Sequence, residues 1–324
     1  MVAVGIHIVP LMPAADVVTV AREAERIGYD YCLVADEGLH VDVYVALGAI
    51  ATQTERIALG PMTNGYTRHP AATAAALATV NALSGGRALV TMLAGGSMTL
   101  GPMGLARRQP FQVVADAVEV LSRLWTGETV TWQGATCSLD NARLGLGRQQ
   151  IPVWIASRGP RLLTLAGQVA DGAMVTVKPD LGAALGIVVD AAAQAERRVP
   201  TRTYLGRVCY EPAMLEQQKL TLSFVLMDSP ERVLVSLGLT PAEVDQVTAA
   251  AAANRPELVD PIVTDDLLRR YQISGTPEDC TAEVAKMVAA HELDVVLIDV
   301  LSSNLEENLR LLHESYPILT GVSR

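Results

Sequence analysis

The stretch Ile57-Ala-Leu-Gly-Pro-Met-Thr-Asn-Gly-Tyr-Thr-Arg-His-Pro70 joins an apolar run to an Ala-rich segment. Gly60, Pro61 and Gly65 permit an irregular turn, and Pro70 suits the first position of a helix, where its missing N–H costs nothing. The pattern therefore predicts a strand, a polar loop and a helix, in that order. Polar loops that follow buried strands carry the chemistry in barrel and open-sheet enzymes. We expect a cofactor ring to bind at this loop.

The same alternation of apolar strand and helix continues along the whole chain. Eight strand-then-helix units can be read, with strands predicted at 2–9, 31–35, 57–60, 88–93, 153–156, 172–177, 203–210 and 294–300. Nearly continuous apolar strands indicate parallel strands buried on both faces. Eight units favour an α/β fold of the (β/α)₈ TIM-barrel type. A doubly wound open sheet is the alternative, but no G-x-G-x-x-G follows the first strand.

The chain is longer than a simple barrel requires. Its 324 residues exceed the roughly 250 of a typical barrel, so we expect two insertions. One is a β-hairpin near 129–147, and the other is a helical segment near 211–270. We expect residues 1–324 to form a single domain.

Composition excludes several classes of function. The formal net charge of -10 argues against a nucleic-acid partner, since phosphate binding needs a basic face. No apolar run reaches the roughly 20 residues of a membrane span, which predicts a cytoplasmic protein without a membrane partner. No cluster of histidines and carboxylates has the spacing of metal ligands, so we expect no metal. The scattered cysteines are expected to be reduced; they are Cys32, Cys137, Cys209 and Cys280.

Residues just past the strands of a barrel converge on one mouth, and two groups of them could carry chemistry. Asp36 and Glu37 are adjacent carboxylates after the second strand, and they could transfer protons if burial or mutual repulsion raises a pKa. Capping or loop carboxylates are the alternative. The segment Ser157-Arg-Gly-Pro160 precedes a predicted helix, whose first N–H groups favour an anion. An ordinary turn would look the same.

Two further features are ambiguous from the residues alone. Gly95 and Gly96 could admit a flat ring or serve only tight packing. His7 lies on the first strand and points into or just above the barrel, where a core histidine is as plausible as a functional one.

Taken together, these motifs resemble the luciferase-like flavin and deazaflavin oxidoreductases. The similarity is greatest to the branch related to methylenetetrahydromethanopterin reductase. It rests on six motifs in the expected order, which are Ala35-Asp36-Glu37, the 57–70 stretch, Leu83-Ser-Gly-Gly-Arg87, Ile155-Ala-Ser-Arg-Gly-Pro-Arg-Leu-Leu163, 166–172 and 273–278. The 57–87 block points to the deazaflavin branch.

The resemblance implies a TIM barrel with coenzyme F420 across its mouth. Hydride would pass between C5 of the deazaflavin and a small organic substrate. The segment Pro61–Asn64 would form a bulge behind the ring, often with a non-prolyl cis peptide in such proteins. The residues at the coenzyme would be Asp36, Pro61, Met62, Thr63, Asn64, Ala94, Gly95, Gly96, Ser157, Arg158, Gly159 and Pro160. The catalytic candidates are Asp36, Glu37 and His40, and the substrate-binding candidates are His7, Tyr66 and Lys178.

The chain departs from the family pattern at two positions. Glu37 stands where members commonly have His, with His40 three residues later, and Gly96 stands where an acid is common. These departures favour a substrate other than a methanopterin, and we expect reduction of a C=N or activated C=C bond in a biosynthetic pathway. An FMN-dependent luciferase-like monooxygenase and a non-catalytic cofactor-binding protein are the alternatives. The resemblance also suggests a homodimer.

Overall fold

The computed structural model describes residues 2–321, except for the side chain of Leu220, so the ends of the expected 1–324 domain lie outside it. Its strands are β1 (Ala3–Ile8), β2 (Tyr31–Ala35), β3 (Ala58–Thr63), β4 (Val90–Met92), β5 (Val130–Gln133), β6 (Ser138–Ala142), β7 (Val153–Ala156), β8 (Gly172–Val175), β9 (Thr201–Gly206), β10 (Val208–Cys209), β11 (Ile273–Ser274) and β12 (Val295–Val300).

The first seven α-helices accompany the barrel strands, and they are α1 (Ala14–Ile27), α2 (Val43–Gln53), α3 (Pro70–Leu83), α4 (Ser97–Leu100), α5 (Pro110–Leu124), α6 (Pro160–Val169) and α7 (Leu181–Gln194). The remaining helices are α8 (Pro212–Glu216), α9 (Lys219–Met227), α10 (Glu231–Ser236), α11 (Pro241–Ala253), α12 (Asp265–Tyr271), α13 (Pro277–His291) and α14 (Leu305–Thr320). Among residues 2–321, no helix is both long and apolar enough to cross a bilayer.

Eight parallel strands close into a barrel in the order β1-β2-β3-β4-β7-β8-β9-β12, with β12 returning to pair with β1. The closed barrel confirms the predicted TIM-barrel class and excludes the open sheet. Alternate side chains fill its interior, where Leu33, Met62, Trp154 and Leu297 belong to one apolar cluster. The opposite side chains of the strands pack against the surrounding helices.

Gly60, in the 57–70 stretch, leaves no room for a side chain. A Cβ at Gly60 would overlap the backbone carbonyl of Leu89 on the next strand. Gly5 is equally confined, since its Cβ would lie 2.5 Å from Leu297 Cδ2 and 2.6 Å from Tyr31 Cβ. Both glycines let the barrel close tightly.

The Ser84-Gly-Gly-Arg87 motif stabilises the barrel at the amino-terminal ends of its strands. Gly85 and Gly86 have φ values of 68° and 95°, which favour glycine, and they turn the chain so that Arg87 reaches back. Its guanidinium donates to the Thr54 hydroxyl and to backbone carbonyls of Ala51, Thr54, Ile57 and Ser84. The motif thus joins the C-terminal ends of α2 and α3 to the start of β3.

Two segments stand outside the barrel. β5 and β6 pair antiparallel and lie inside the interval 129–147 where a hairpin is expected. Helices α8 to α12 lie between β10 and β11, which fits the helical segment expected near 211–270. These helices have an apolar cluster of their own, which includes Leu226, Val233 and Leu268.

Two expectations about the strands are wrong. Residues 203–210 do not form one strand, because the chain leaves the barrel at Arg207; β10 pairs with β11 instead. No bulge forms at Pro61–Asn64 either. β3 keeps one register with β2 up to Met62 and with β4 up to Thr63, and no peptide bond within residues 2–321 is cis.

Candidate active site at the barrel mouth

His7 and Asp299 form a hydrogen-bonded pair at the carboxyl ends of β1 and β12. They face each other in the strand register, and Nδ1 of His7 lies 2.7 Å from Oδ1 of Asp299. His7 is only 7% exposed. Its Nε2 atom is buried and has no hydrogen-bond partner in the described part of the chain. The structure therefore leaves one imidazole nitrogen available to a ligand.

Asp36 is tied to the loop that follows β3. Its Oδ2 accepts hydrogen bonds from the hydroxyl of Thr63 at 2.6 Å and from that of Thr67 at 3.4 Å. Its backbone N–H donates to the carbonyl of Met62. Asp36 thus fixes the end of β3 against the end of β2.

The adjacent acid, Glu37, has a different partner. Its Oε2 accepts a 2.7 Å hydrogen bond from the hydroxyl of Thr99 on α4. Asp36 and Glu37 therefore support different loops of the mouth. His40 lies exposed on the same β2–α2 loop.

Asn64 organises the polar loop internally. Its Oδ1 accepts from the backbone N–H groups of Tyr66 and Thr67 at 2.8 and 3.0 Å, which forms an Asx turn. The hydroxyl of Tyr66 then donates to the carbonyl of Arg108 at 2.7 Å, and partial burial raises the pKa of this hydroxyl. Asn64 and Tyr66 therefore hold the loop after β3 against the loop after β4.

The loop after β4 is joined to the helical insertion. Gly95 has a φ of 71°, and the Ala94 carbonyl accepts from Nε of Arg107 at 3.2 Å. Asp228, at the end of α9, approaches so closely that a Cβ at Gly96 would lie 3.6 Å from its Oδ2. A carboxylate from the insertion therefore lies beside the position where family members commonly carry an acid.

The segment before α6 has the geometry of an open helix start. Ser157 Oγ accepts from the Gly159 N–H at 3.0 Å, and Pro160 is the first helical residue. A Cβ at Gly159 would have only Ser157 Oγ, at 3.8 Å, within 4 Å, so there is open space beside the backbone. The first N–H groups of a helix have no partner within the helix.

Arg158 is directed toward the insertion. Its guanidinium donates to the Thr176 hydroxyl at 3.2 Å, the Val225 carbonyl at 3.0 Å and the Ser229 hydroxyl at 3.2 Å. Arg161, three residues later, stacks 4.3 Å above the ring of Phe111. Backbone groups, not these guanidinium groups, therefore face the space before α6.

Lys178 is occupied by protein partners. Its ammonium contacts the carbonyls of Arg269 and Gln272 and Oε1 of Glu283, at 3.2, 2.7 and 2.7 Å. Because an ammonium has three donors, these contacts leave none for a ligand in this arrangement. Lys178 therefore joins the barrel to the end of the insertion.

Neither metal ligands nor cleft size locates the site. Within residues 2–321, no group of three histidine, cysteine or acidic side chains is arranged to hold a metal ion. A cleft of about 470 Å³ lined by Asn81, Gly86 and Arg148 lies at the opposite end of the barrel, before β4 begins. The candidate polar side chains described above instead lie at the carboxyl ends of the strands.

Two residues of this mouth were missed by sequence reasoning. Asp299 left a signal, since it is the one charged residue in the apolar strand Val295–Val300. Asp228 left none, because it lies in a helical segment without a recognisable motif and reaches Ser97 only through the fold.

Comparison with known proteins places this geometry in a family. The sequence model of the family described as luciferase-like monooxygenase matches residues 3–293. The 5,10-methylenetetrahydromethanopterin reductase of Methanolobus tindarius is 28% identical over 95% of this chain and 97% of its own. The F420-dependent glucose-6-phosphate dehydrogenase of Nakamurella multipartita is 30% identical over 50% of this chain and 52% of its own.

A solved structure agrees with the fold. The coenzyme F420-dependent tetrahydromethanopterin reductase from Methanopyrus kandleri superimposes with a TM-score of 0.80 at 24% identity, covering 96% of this chain and 97% of its own. This likeness shows the shared barrel, while the family match extends over most of the sequence. The chain therefore belongs to the luciferase-like monooxygenase family.

Proposed function

We propose that this protein is an F420-dependent oxidoreductase. It transfers hydride between C5 of the deazaflavin and a small organic substrate, with reduction of a C=N or activated C=C bond as the reaction. The observation that carries the proposal is the placement of two features across the mouth. The open start of α6 follows β7, and the His7–Asp299 pair lies on β1 and β12; β1 and β7 are opposite in the strand order.

The residues present fit an elongated cofactor with a flat ring and a phosphate. At one side, the space beside Gly159 and the first N–H groups of α6 suit the phosphate. Between the two sides, Met62 offers an apolar surface, and Gly95 and Gly96 keep the loop after β4 free of side chains. Similarity to proteins named as F420-dependent supports the deazaflavin over FMN.

When bound, the coenzyme donates or accepts hydride, and the chain's own residues do the rest. Ser157, Gly159 and Pro160 orient the phosphate end. Asp36 holds the Met62–Asn64 segment in place through its bond to Thr63. Glu37 and His40 remain predictions as proton-handling groups, and Tyr66 remains one as a substrate contact.

The proposed acceptor is not a methanopterin, because the side chains at the rim of this mouth differ from those common in that branch. Glu37 and Gly96 replace residues common in the methanopterin branch, and Asp228 brings a carboxylate from the insertion to the same rim. A rim built differently favours a different acceptor.

We further propose a cytoplasmic homodimer, which sedimentation would detect as twice the 34.4 kDa of one chain.

The test is a fluorescence titration of the purified protein with F420 and, separately, with FMN. We expect F420 to bind with micromolar affinity, about -8 kcal/mol, and FMN not to bind. Binding of FMN alone would favour the monooxygenase alternative. Binding of F420 without hydride transfer to imines, enones or methylenetetrahydromethanopterin would favour a non-catalytic protein. Binding of neither cofactor would overturn the proposal.

A further inference from the structure

We propose that His7 is the acid–base group that exchanges a proton with the substrate, and that Asp299 is the residue that positions it. This inference rests on the proposed function, and it moves proton transfer from the β2–α2 loop to the barrel interior.

The strand pattern directs both side chains inward. Alternate residues of a strand share a face, and Ala3 of β1 packs in the interior cluster with Val295 and Leu297 of β12. His7 continues the first series and Asp299 continues the second. Their register pairing brings the imidazole and the carboxylate together at the last interior layer before the mouth.

Asp299 determines which nitrogen of His7 is available. An ionised carboxylate can only accept hydrogen bonds, so Nδ1 carries the proton that it donates across 2.7 Å. Nε2 then holds a lone pair in the neutral ring and a second proton in the charged ring.

Several buried side-chain atoms of the described residues lack a hydrogen-bond partner, and Nε2 of His7 is the imidazole nitrogen among them, near the carboxyl end of β1. It is shielded from solvent and has no partner among the described residues. A buried polar atom without a hydrogen bond costs free energy, so such atoms in native structures call for a ligand or water. Because His7 lies on β1, opposite the proposed phosphate site after β7, we assign this partner to the substrate.

Asp299 is the ionisable group in direct contact with His7. On β2 the paired residue is the apolar Leu33, with Asp36 and Glu37 beyond the strand. Past β9, the buried Arg207 bonds to Gln217. The other titratable groups close to Asp299 are Tyr204, Cys209 and Tyr271; burial raises the pKa of each, so all three are neutral near pH 7.

The proton balance is simple. When a C=N bond accepts hydride at carbon, its nitrogen must gain a proton. The Nε2–H of charged His7 breaks, a new N–H forms on the substrate, and His7 becomes neutral. Solvent restores its proton after product leaves. The substrate gains two electrons from the reduced deazaflavin, and His7 itself is neither oxidised nor reduced.

The test compares His7→Gln and Asp299→Asn with His313→Gln as the control. His313 also pairs with a carboxylate, Glu23 at 2.6 Å, but it lies between α1 and α14 outside the barrel. Nitrogen-15 NMR of the cofactor-free protein should show the neutral ring of His7 with its proton on Nδ1 and a lone pair on Nε2. In Asp299→Asn part of the His7 population should carry its proton on Nε2 instead, whereas His313→Gln should leave the His7 tautomer unchanged.

Turnover supplies the second readout, with 1-pyrroline and cyclohex-2-en-1-one as acceptors. We expect His7→Gln to lower kcat by about 10²- to 10⁴-fold, with F420 affinity unchanged within about threefold. Asp299→Asn should lower kcat less than His7→Gln does, because the imidazole remains but loses the partner that orients it. A His7 proton found on Nε2 in the neutral ring of the wild type, or a fully active His7→Gln, would overturn the inference. Failure of the wild type to bind F420 would instead refute the proposed function.

Discussion

The carboxylate of Asp228 accepts hydrogen bonds from both the backbone N–H and the hydroxyl of Ser97, at 3.1 and 3.2 Å. Asp228 ends α9 in the helical insertion, and Ser97 begins α4 after β4. A single side chain therefore joins the insertion to the glycine loop of the mouth. Arg107 adds a longer ionic contact of 3.6 Å to the same carboxylate.

Replacing Asp228 by Ala should loosen the loop from 94 to 108. Loss of two hydrogen bonds, each contributing about 1 kcal/mol, should raise local opening roughly 5- to 30-fold. Hydrogen exchange of peptides that cover Ser97 measures this directly. Asp228→Asn keeps an oxygen acceptor and should remain close to the wild type. Equal loosening in both variants would mean that the charge contact with Arg107 holds the loop instead.

Replacing Arg158 by Ala should lower the stability of the fold but have little effect on coenzyme binding. Its guanidinium holds Thr176, Val225 and Ser229, so the melting temperature should fall by a few degrees, about 1–2 kcal/mol. Affinity for F420 should fall less than tenfold if, as proposed above, the backbone N–H groups before α6 hold the phosphate. The control is Arg161→Ala, which removes only a contact with Phe111. Complete loss of F420 binding in Arg158→Ala alone would identify that side chain as the anchor.

Alanine should be tolerated at Gly96 but not at Gly95. At Gly95 the φ of 71° disfavours any Cβ, which would also lie 2.9 Å from Leu100 Cδ1. We expect a loss of about 1–2 kcal/mol in the free energy of unfolding. Gly96 has an extended conformation, and an added Cβ would make only an ordinary contact of 3.6 Å with Asp228 Oδ2, so its change should stay within about 0.5 kcal/mol. Urea unfolding of the two variants measures the difference; equal losses would show that the loop relaxes around a side chain at Gly95.

The stability provided by Glu23 should depend on pH. Hydrogen bonding to Arg26, assisted by His313, lowers the pKa of Glu23 to about 2 in the folded protein, below the ordinary 4.5. The carboxylate therefore stabilises the fold above about pH 4.5, and this contribution is lost as the pH falls toward 2. Because Arg26 is exposed, we expect Glu23→Gln to cost only about 1 kcal/mol at pH 7.

Urea unfolding of the Glu23→Gln protein at pH 7 and pH 3 measures this dependence. The matched control is Glu119→Gln, which breaks an exposed pair with Arg123 on α5 and should change stability by less than about 0.5 kcal/mol. A Glu23→Gln loss that is equal at both pH values would contradict the ionic origin.

The barrel could be predicted because its signals are local. Tyr31–Ala35 and Val153–Ala156 are short apolar runs between turn residues, and the structure has strands at those bounds. The predicted strand 203–210 was wrong at Arg207, where an apolar run continues but the barrel does not. The hydrophobicity of a segment indicates that it is buried, but it does not indicate which sheet the strand joins.

The site was predictable only in part, because its partners are distant in sequence. Strand ends pointed to Asp36, Asn64 and the Ser157 segment. The partners of His7 and of Ser97 are 292 and 131 positions away in the chain, and no local pattern encodes such pairs. The direction of Arg158 likewise depends on where the insertion packs.

β10 and β11 bring the two ends of the helical insertion side by side, with Val208 opposite Ile273 and Cys209 opposite Ser274. The segment between them leaves the barrel and returns to it at almost one point. The loop-closure entropy of such a segment grows only slowly with its length. Evolution can therefore lengthen, shorten or exchange residues 210–272 with little cost to the eight-stranded framework.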